Sequence, residues 1–160
     1  MAIHWPEEFQ PGRAPIHVRN VRESHATPSA IWAWLVRAKR WPEWYPNSNR
    51  VLIEGDVEDL SAGATFKWST FGVRLVSRVE EFVPESRIAW TARSAGVLAY
   101  HAWLIEPRPS GASILTEETQ YGLLARLGNF LMPHRMHAGH ELWLEELDRA
   151  ASKGPPPSPA

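Results

Sequence analysis

Apolar residues recur along this chain with two periods. Over residues 16–25 the side chains alternate, Ile16, Val18, Asn20 and Arg22 on one set against His17, Arg19, Val21 and Glu23 on the other, which is the pattern of a partly exposed strand. Thr27-Pro28-Ser29 then supplies a helix start, with the threonine as N-cap and the proline in the first turn. Ile31, Trp32, Leu35 and Val36 follow at helical spacing, and the helix must end before Pro42. Trp41-Pro42-Glu43-Trp44-Tyr45-Pro46-Asn47 has room for one short helical turn, expected to cover an end of the core. Strands are predicted over 50–54, 65–70, 73–83, 87–92, 98–106 and 112–121, separated by Gly55-Asp56, Phe71-Gly72, Pro84-Glu85-Ser86 and similar turn residues. Connections this short favour an antiparallel meander. The sets Phe66, Trp68 and Thr70, then Leu75, Ser77 and Val79, then Ile88 and Trp90, are expected to face inward.

From 123 to 152 the period is helical, with interruptions expected at Gly128 and Pro133. Met132, Met136, His140, Trp143, Leu144 and Leu147 share one stripe, while Arg135, Glu141, Glu145 and Asp148 fall outside it. The prolines of residues 1–15 break any regular ladder and predict an irregular arm on the surface. Those of 153–160 predict a disordered or polyproline-like tail. Between them, 16–152 reads as one domain.

The turn Arg108-Pro109-Ser110-Gly111 sets a register. Counting outward from it places Ile105 opposite Ile114, Trp103 opposite Thr116 and His101 opposite Glu118, all on one face. Cβ atoms directly opposite lie about 5 Å apart, so His101 and Glu118 are within hydrogen-bonding reach. A polar pair among bulky apolar groups suggests a binding or catalytic cavity, because aliphatic residues fill an ordinary core without needing partners. On hydrophobicity alone, however, Leu115, Glu117, Thr119 and Tyr121 compete with Ile114, Thr116, Glu118 and Gln120 for the inward face.

Composition narrows the field. At 160 residues the chain has enough length for one substantial core. A formal net charge of -1, from 17 basic and 18 acidic residues spread along the chain, gives no electrostatic footprint for nucleic acid or an anionic membrane. With no cysteine there is no thiol nucleophile and no thiolate metal site, and a cytoplasmic location is the default. Glu7, Glu8 and Pro6 fall where a secretory signal needs an apolar run, and no stretch is long enough to span a bilayer. Nine tryptophans supply rigid, amphipathic surface suited to cavity walls or to plain bulk.

His134, His137 and His140 recur every third residue, yet on a helix the first and last differ by roughly 240° and cannot converge on one ion. No metal and no cofactor is expected. Phosphate loops and nucleophile elbows are not recognisable either.

Thr27-Pro28-Ser29-Ala30-Ile31-Trp32 followed by Trp41-Pro42-Glu43-Trp44-Tyr45-Pro46 resembles the signature of the START-related polyketide cyclase/dehydrase and lipid-transport superfamily. So do residues 79–90, then His101-Ala102-Trp103, then residues 116–124, in that order. The resemblance covers roughly residues 16–152. It implies an α+β, Bet v 1-like helix-grip fold, in which a curved antiparallel sheet wraps a long C-terminal helix around a cavity for an apolar molecule or lipid. It also breaks the tie between the two faces, turning Glu118 inward.

Three functions follow as expectations. The first is binding of a hydrophobic or aromatic small molecule, with Trp68, Trp90, Trp103, Met136, His140 and Trp143 as ligand-binding residues. The second is a cyclase- or dehydratase-like enzyme with His101 and Glu118 as the catalytic acid/base pair. The third is a protein-interaction module using the outer sheet face or the 41–45 loop.

Overall fold

A computed structural model describes residues 2–157. Elements follow in the order β1 (Ile16–Ser24), α1 (Pro28–Val36), α2 (Trp41–Trp44), β2 (Ser48–Ile53), β3 (Thr65–Thr70), β4 (Val73–Val83), β5 (Arg87–Ser94), β6 (Val97–Arg108), β7 (Gly111–Tyr121), α3 (Leu123–Leu131) and α4 (Arg135–Ala151). All strands pair antiparallel in one sheet of order β1-β7-β6-β5-β4-β3-β2. An eleven-residue loop joins β2 to β3 and short turns join the strands from β3 to β7, making β2 to β7 a meander, and β1 closes on the last strand of the run. The curved sheet holds α4 against its inner face, which is the α+β helix-grip architecture.

Local chemistry accounts for the element ends. The Thr27 side chain accepts a hydrogen bond from the Ala30 amide at 3.2 Å and caps α1, with Pro28 in the first turn. At the tip between β6 and β7, Gly111 has φ +135°, and a Cβ there would overlap the Ser24 carbonyl oxygen and His25. The register beyond that tip places His101 opposite Glu118, Trp103 opposite Thr116 and Ile105 opposite Ile114.

The core lies between α1, α4 and the inner sheet face and is unusually aromatic. Trp41, on the short α2, donates its indole N–H to the Leu35 carbonyl at 3.0 Å and sits edge-on to Phe66, Trp68 and Trp143. Tyr45 stacks on Trp143 at 4.4 Å and 8°. Both Trp41 and Tyr45 are fully buried, so the aromatic loop considered as a docking surface plugs the core instead.

Part of the outer sheet face, around β6, is also covered. Residues of the N-terminal arm form two 3-10 turns, Glu7–Phe9 and Pro11–Arg13. Phe9 is buried against Tyr100 at 5.2 Å, and its carbonyl accepts from the Thr119 hydroxyl at 3.2 Å. Because β6 is covered on both faces, Ala99 to Ile105 is a continuous buried run.

Two expectations about helices change. Gly128 does not interrupt α3: the helix runs through it to Leu131, the Met132 amide bonds to the Gly128 carbonyl, and the break comes at Pro133, which has no amide hydrogen to continue the ladder. Met132 therefore lies outside α4 and is exposed, and the buried stripe holds His140, Trp143, Leu144 and Leu147. The beginning of the proline-rich tail lies against α1 rather than apart from the fold. Gly154 and Pro157 carbonyls accept from Trp34 and Arg37, both at 2.8 Å, and Pro156 is buried. Residues 158–160 of that tail lie outside the described residues.

Candidate functional site

Three buried polar side chains meet on the concave face, one each from β6, β7 and α4. His101 Nδ1 lies 3.2 Å from Glu118 Oε2, and His140 Nε2 lies 3.3 Å from the same oxygen. The other carboxylate oxygen accepts from Gln120 Nε2 at 2.6 Å, and His101 Nε2 meets the Thr116 hydroxyl at 2.7 Å. This network assigns the tautomers: both imidazoles donate to Glu118, and Thr116 donates to His101. The two imidazole rings are nearly parallel, with centroids 4.9 Å apart.

Burial decides the charge state. It pushes the His101 imidazolium down to about 3, an effect that His140 reinforces and Glu118 opposes, so His101 is neutral near pH 7. Burial pushes the Glu118 carboxyl up, but the His101 field, the His140 and Gln120 hydrogen bonds and the His140 field outweigh it. The carboxyl lies below its ordinary value and is ionised. The cluster therefore holds a buried negative charge solvated by three N–H donors.

Glu118 faces inward because its neighbours are occupied on the outside. Glu117 accepts from His17 Nε2 at 2.6 Å and lies near Arg19 on the outer face, which turns Glu118 to the core by strand alternation. His137 points to Asn20 on β1 and His134 is exposed, so the three helical histidines separate.

A different trio offers metal-ligating atoms within 4.8 Å of one another: His101, Glu118 and His140. Two imidazoles and a carboxylate form a donor set that a divalent ion accepts. Glu118 already satisfies both imidazole protons, however. His140 Nδ1 also has no partner, whereas ligating imidazoles usually anchor the second nitrogen.

Two adjoining cavities lead to the cluster. The inner one, about 40 Å³, is walled by Tyr45, Trp68, Trp90, Trp143 and Met136 with His101, Glu118 and His140. The outer one, about 130 Å³, lies between α3 and the β3–β4 turn, lined by Leu75, Val97, Leu124, Met132 and Met136. Phe71 and Gln120 line both. Phe71 packs on Gly139 of α4 at a position where any Cβ would collide with its ring, and Arg135 lies over its other side at 4.9 Å. Its ring sits where the two chambers adjoin.

Of the residues singled out from sequence, Trp68, Trp90, Met136, His140 and Trp143 line the inner chamber with His101 and Glu118. Trp103 does not line it, being packed behind His101 at 5.4 Å and edge-on to Trp143. Tryptophan thus fills most of the interior and leaves a narrow space. Thr116, Gln120, Tyr45 and Phe71 are additional members of the site. Thr116 and Gln120 were detectable as the i-2 and i+2 neighbours of Glu118 on its own face. Burial pushes the Tyr45 hydroxyl up to about 12, with Asn47 opposing, so it remains a protonated wall of the chamber.

A helix gripped by a seven-stranded sheet, with a polar cluster at the floor of an aromatic cavity, defines a class of small-molecule-handling folds. Within it, the chain belongs to the polyketide cyclase/dehydrase and lipid transport family, whose model matches residues 15–151. The crystal structure of hypothetical protein jhp0584 from Helicobacter pylori superposes with a TM-score of 0.87 at 30% identity, covering 94% of this chain and 96% of that one. TTHA0849 from Thermus thermophilus has a TM-score of 0.71 at 16% identity, covering 86% and 98%. The di-domain ARO/CYC StfQ of the steffimycin biosynthetic pathway has a TM-score of 0.70 at 15% identity, covering 86% of this chain and 51% of that longer one. Among curated proteins none matches in sequence.

Proposed function

We propose that this chain binds a small, mainly apolar molecule carrying one polar group. The polar group meets the His101–Glu118–His140 cluster, and the apolar body lies along Leu75, Val97, Met132 and Met136. The observation that carries this reading is the ionised carboxylate enclosed with two imidazoles at the floor of the inner chamber. Removing such a charge from water costs several kcal/mol even when it is hydrogen-bonded, which marks recognition or chemistry rather than packing. The indole N–H groups of Trp90 and Trp143, on the walls of the same chamber, meet no acceptor in the protein. An oxygen-bearing ligand would supply one. At about 40 Å³ the inner chamber admits a carbonyl or hydroxyl end and leaves the bulk outside, or requires Phe71 to swing away.

A cyclase- or dehydratase-type activity is the second reading, favoured by the protonation state of the cluster. An ionised Glu118 can take the proton from a carbon beside a carbonyl, the electron pair moving onto the carbonyl oxygen while the indole N–H of Trp90 or Trp143, which has no acceptor in the protein, donates to that oxygen. The ARO/CYC relatives share this scaffold at identities that carry fold alone.

Native mass spectrometry and tryptophan fluorescence with a panel of polycyclic aromatics, fatty acids and sterols test the first reading. A retained mass or saturable quenching, weakened at least tenfold by Val97→Phe, which narrows the outer chamber, is the expected result. No retained mass and no response across the panel would overturn it. For the second reading, Glu118→Gln keeps binding but abolishes deuterium exchange at the carbon beside the carbonyl of a bound ketone. Exchange unaffected by the substitution would remove Glu118 as the base.

A further inference from the structure

Helix α3 is turned the wrong way round for a helix of a water-facing surface. Leu123, Leu127, Phe130 and Leu131 recur at i, i+4, i+7 and i+8, which is the spacing of a core-facing stripe. Here the stripe points outward, leaving Leu123 78%, Phe130 81% and Leu131 64% exposed, while Ala125 on the opposite side is buried. An unburied apolar patch of this kind marks an interaction surface.

Charge around the patch selects the partner. The near-neutral total conceals a segregation, for no Asp or Glu occurs in 60–79, 86–105 or 119–140. These three segments meet at this end of the sheet: the Leu124 amide bonds to the Gly96 carbonyl at 3.1 Å, and Arg135 bonds to the Phe71 carbonyl at 3.2 Å. Arg74, Arg93, Arg126 and Arg135 are exposed there, and among the described residues none of them meets a carboxylate. Leu124 and Met132, also exposed, line the outer cavity.

We propose that this end of the molecule docks on an anionic lipid bilayer, with α3 lying in the interface, its leucines and Phe130 among the acyl chains and the four arginines at the phosphate level. An apolar protein partner would account for the stripe but not for an arginine rim free of carboxylates. Docked in this way, the outer cavity opens toward the bilayer through Leu124 and Met132. Docking needs no occupant in the cavity, so it stands or falls separately from ligand binding.

Co-sedimentation of the full chain with vesicles tests it. Binding is expected to phosphatidylcholine vesicles containing 30% phosphatidylglycerol, to be at least tenfold weaker on pure phosphatidylcholine, and to fall with added salt. Arg93→Gln with Arg126→Gln lowers partition on the order of 25-fold, each charge contributing about fivefold. Phe130→Asp abolishes it, whereas His101→Gln leaves it unchanged. Since the chain has no cysteine, Phe130→Cys carries a single environment-sensitive fluorophore whose emission shifts to the blue on the anionic vesicles. Two results overturn the proposal: no sedimentation with anionic vesicles, or a dimer in sedimentation equilibrium that Phe130→Asp dissociates while vesicles leave the fluorophore unshifted.

Discussion

Replacing His101 by glutamine should change how stability depends on pH more than it changes the fold. The imidazole is buried neutral, with its folded-state value pushed from 6.5 down to about 3. Between those values the unfolded chain binds a proton that the folded chain does not, so its stabilisation is complete above pH 6.5 and is lost as pH falls toward 3. The slope is at most about 1.4 kcal/mol per pH unit. Glu118, with its carboxyl lowered, acts in the same direction, its stabilisation fading as pH falls through the carboxylate range. Urea midpoints from pH 7 to 4 should therefore drop steeply for the native chain and less steeply for His101→Gln; parallel curves would show that His101 is not buried neutral. The pairing of these residues was readable in advance because the tip at 108–111 sets a register that fixes both partners. Their third member was readable only in part: the helical stripe put His140 among the cavity residues, but it lies some twenty residues further on, and only the angle at which α4 crosses the sheet brings it to the same carboxylate oxygen.

Among elements, the tip between β6 and β7 concentrates the constraint. Gly111→Ala both strains φ +135° and drives a Cβ into the Ser24 carbonyl, and should destabilise by about 2 kcal/mol or more, read as a fall in Tm. An unchanged Tm would mean that the tip relaxes without cost. Strands were legible because alternation and turn residues agree over β3, β4, β6 and β7. The orientation of α3 was not, since periodicity establishes that a stripe exists without saying whether it faces the core or the solvent. The same limit applies to the tryptophans, which composition identifies as bulky and amphipathic. Whether they line space or occupy it depends on rotamers and on α2, whose Trp41 reaches the centre from a four-residue helix.

At the scale of the molecule, the N-terminal arm is structural cover. Phe9, with Ile3 and Trp5 around it, shields Ala89, Tyr100 and Ala102 on the outer face of the sheet. A chain lacking residues 2–13 should expose that patch, lose stability and associate, which light scattering and thermal unfolding would detect; a monomer with unaltered Tm would show the arm to be dispensable.

The pairing of the first strand with the last has a consequence in time. Ile16 finds its partner at Gln120 and Ser24 at Ala112, so β1 emerges from a ribosome about a hundred residues before the strand that receives it. At 5–20 residues per second, roughly 5 to 20 s pass with that edge bare. Arg19, Arg22 and Glu23, interleaved with its apolar positions, keep the waiting segment from joining another nascent chain.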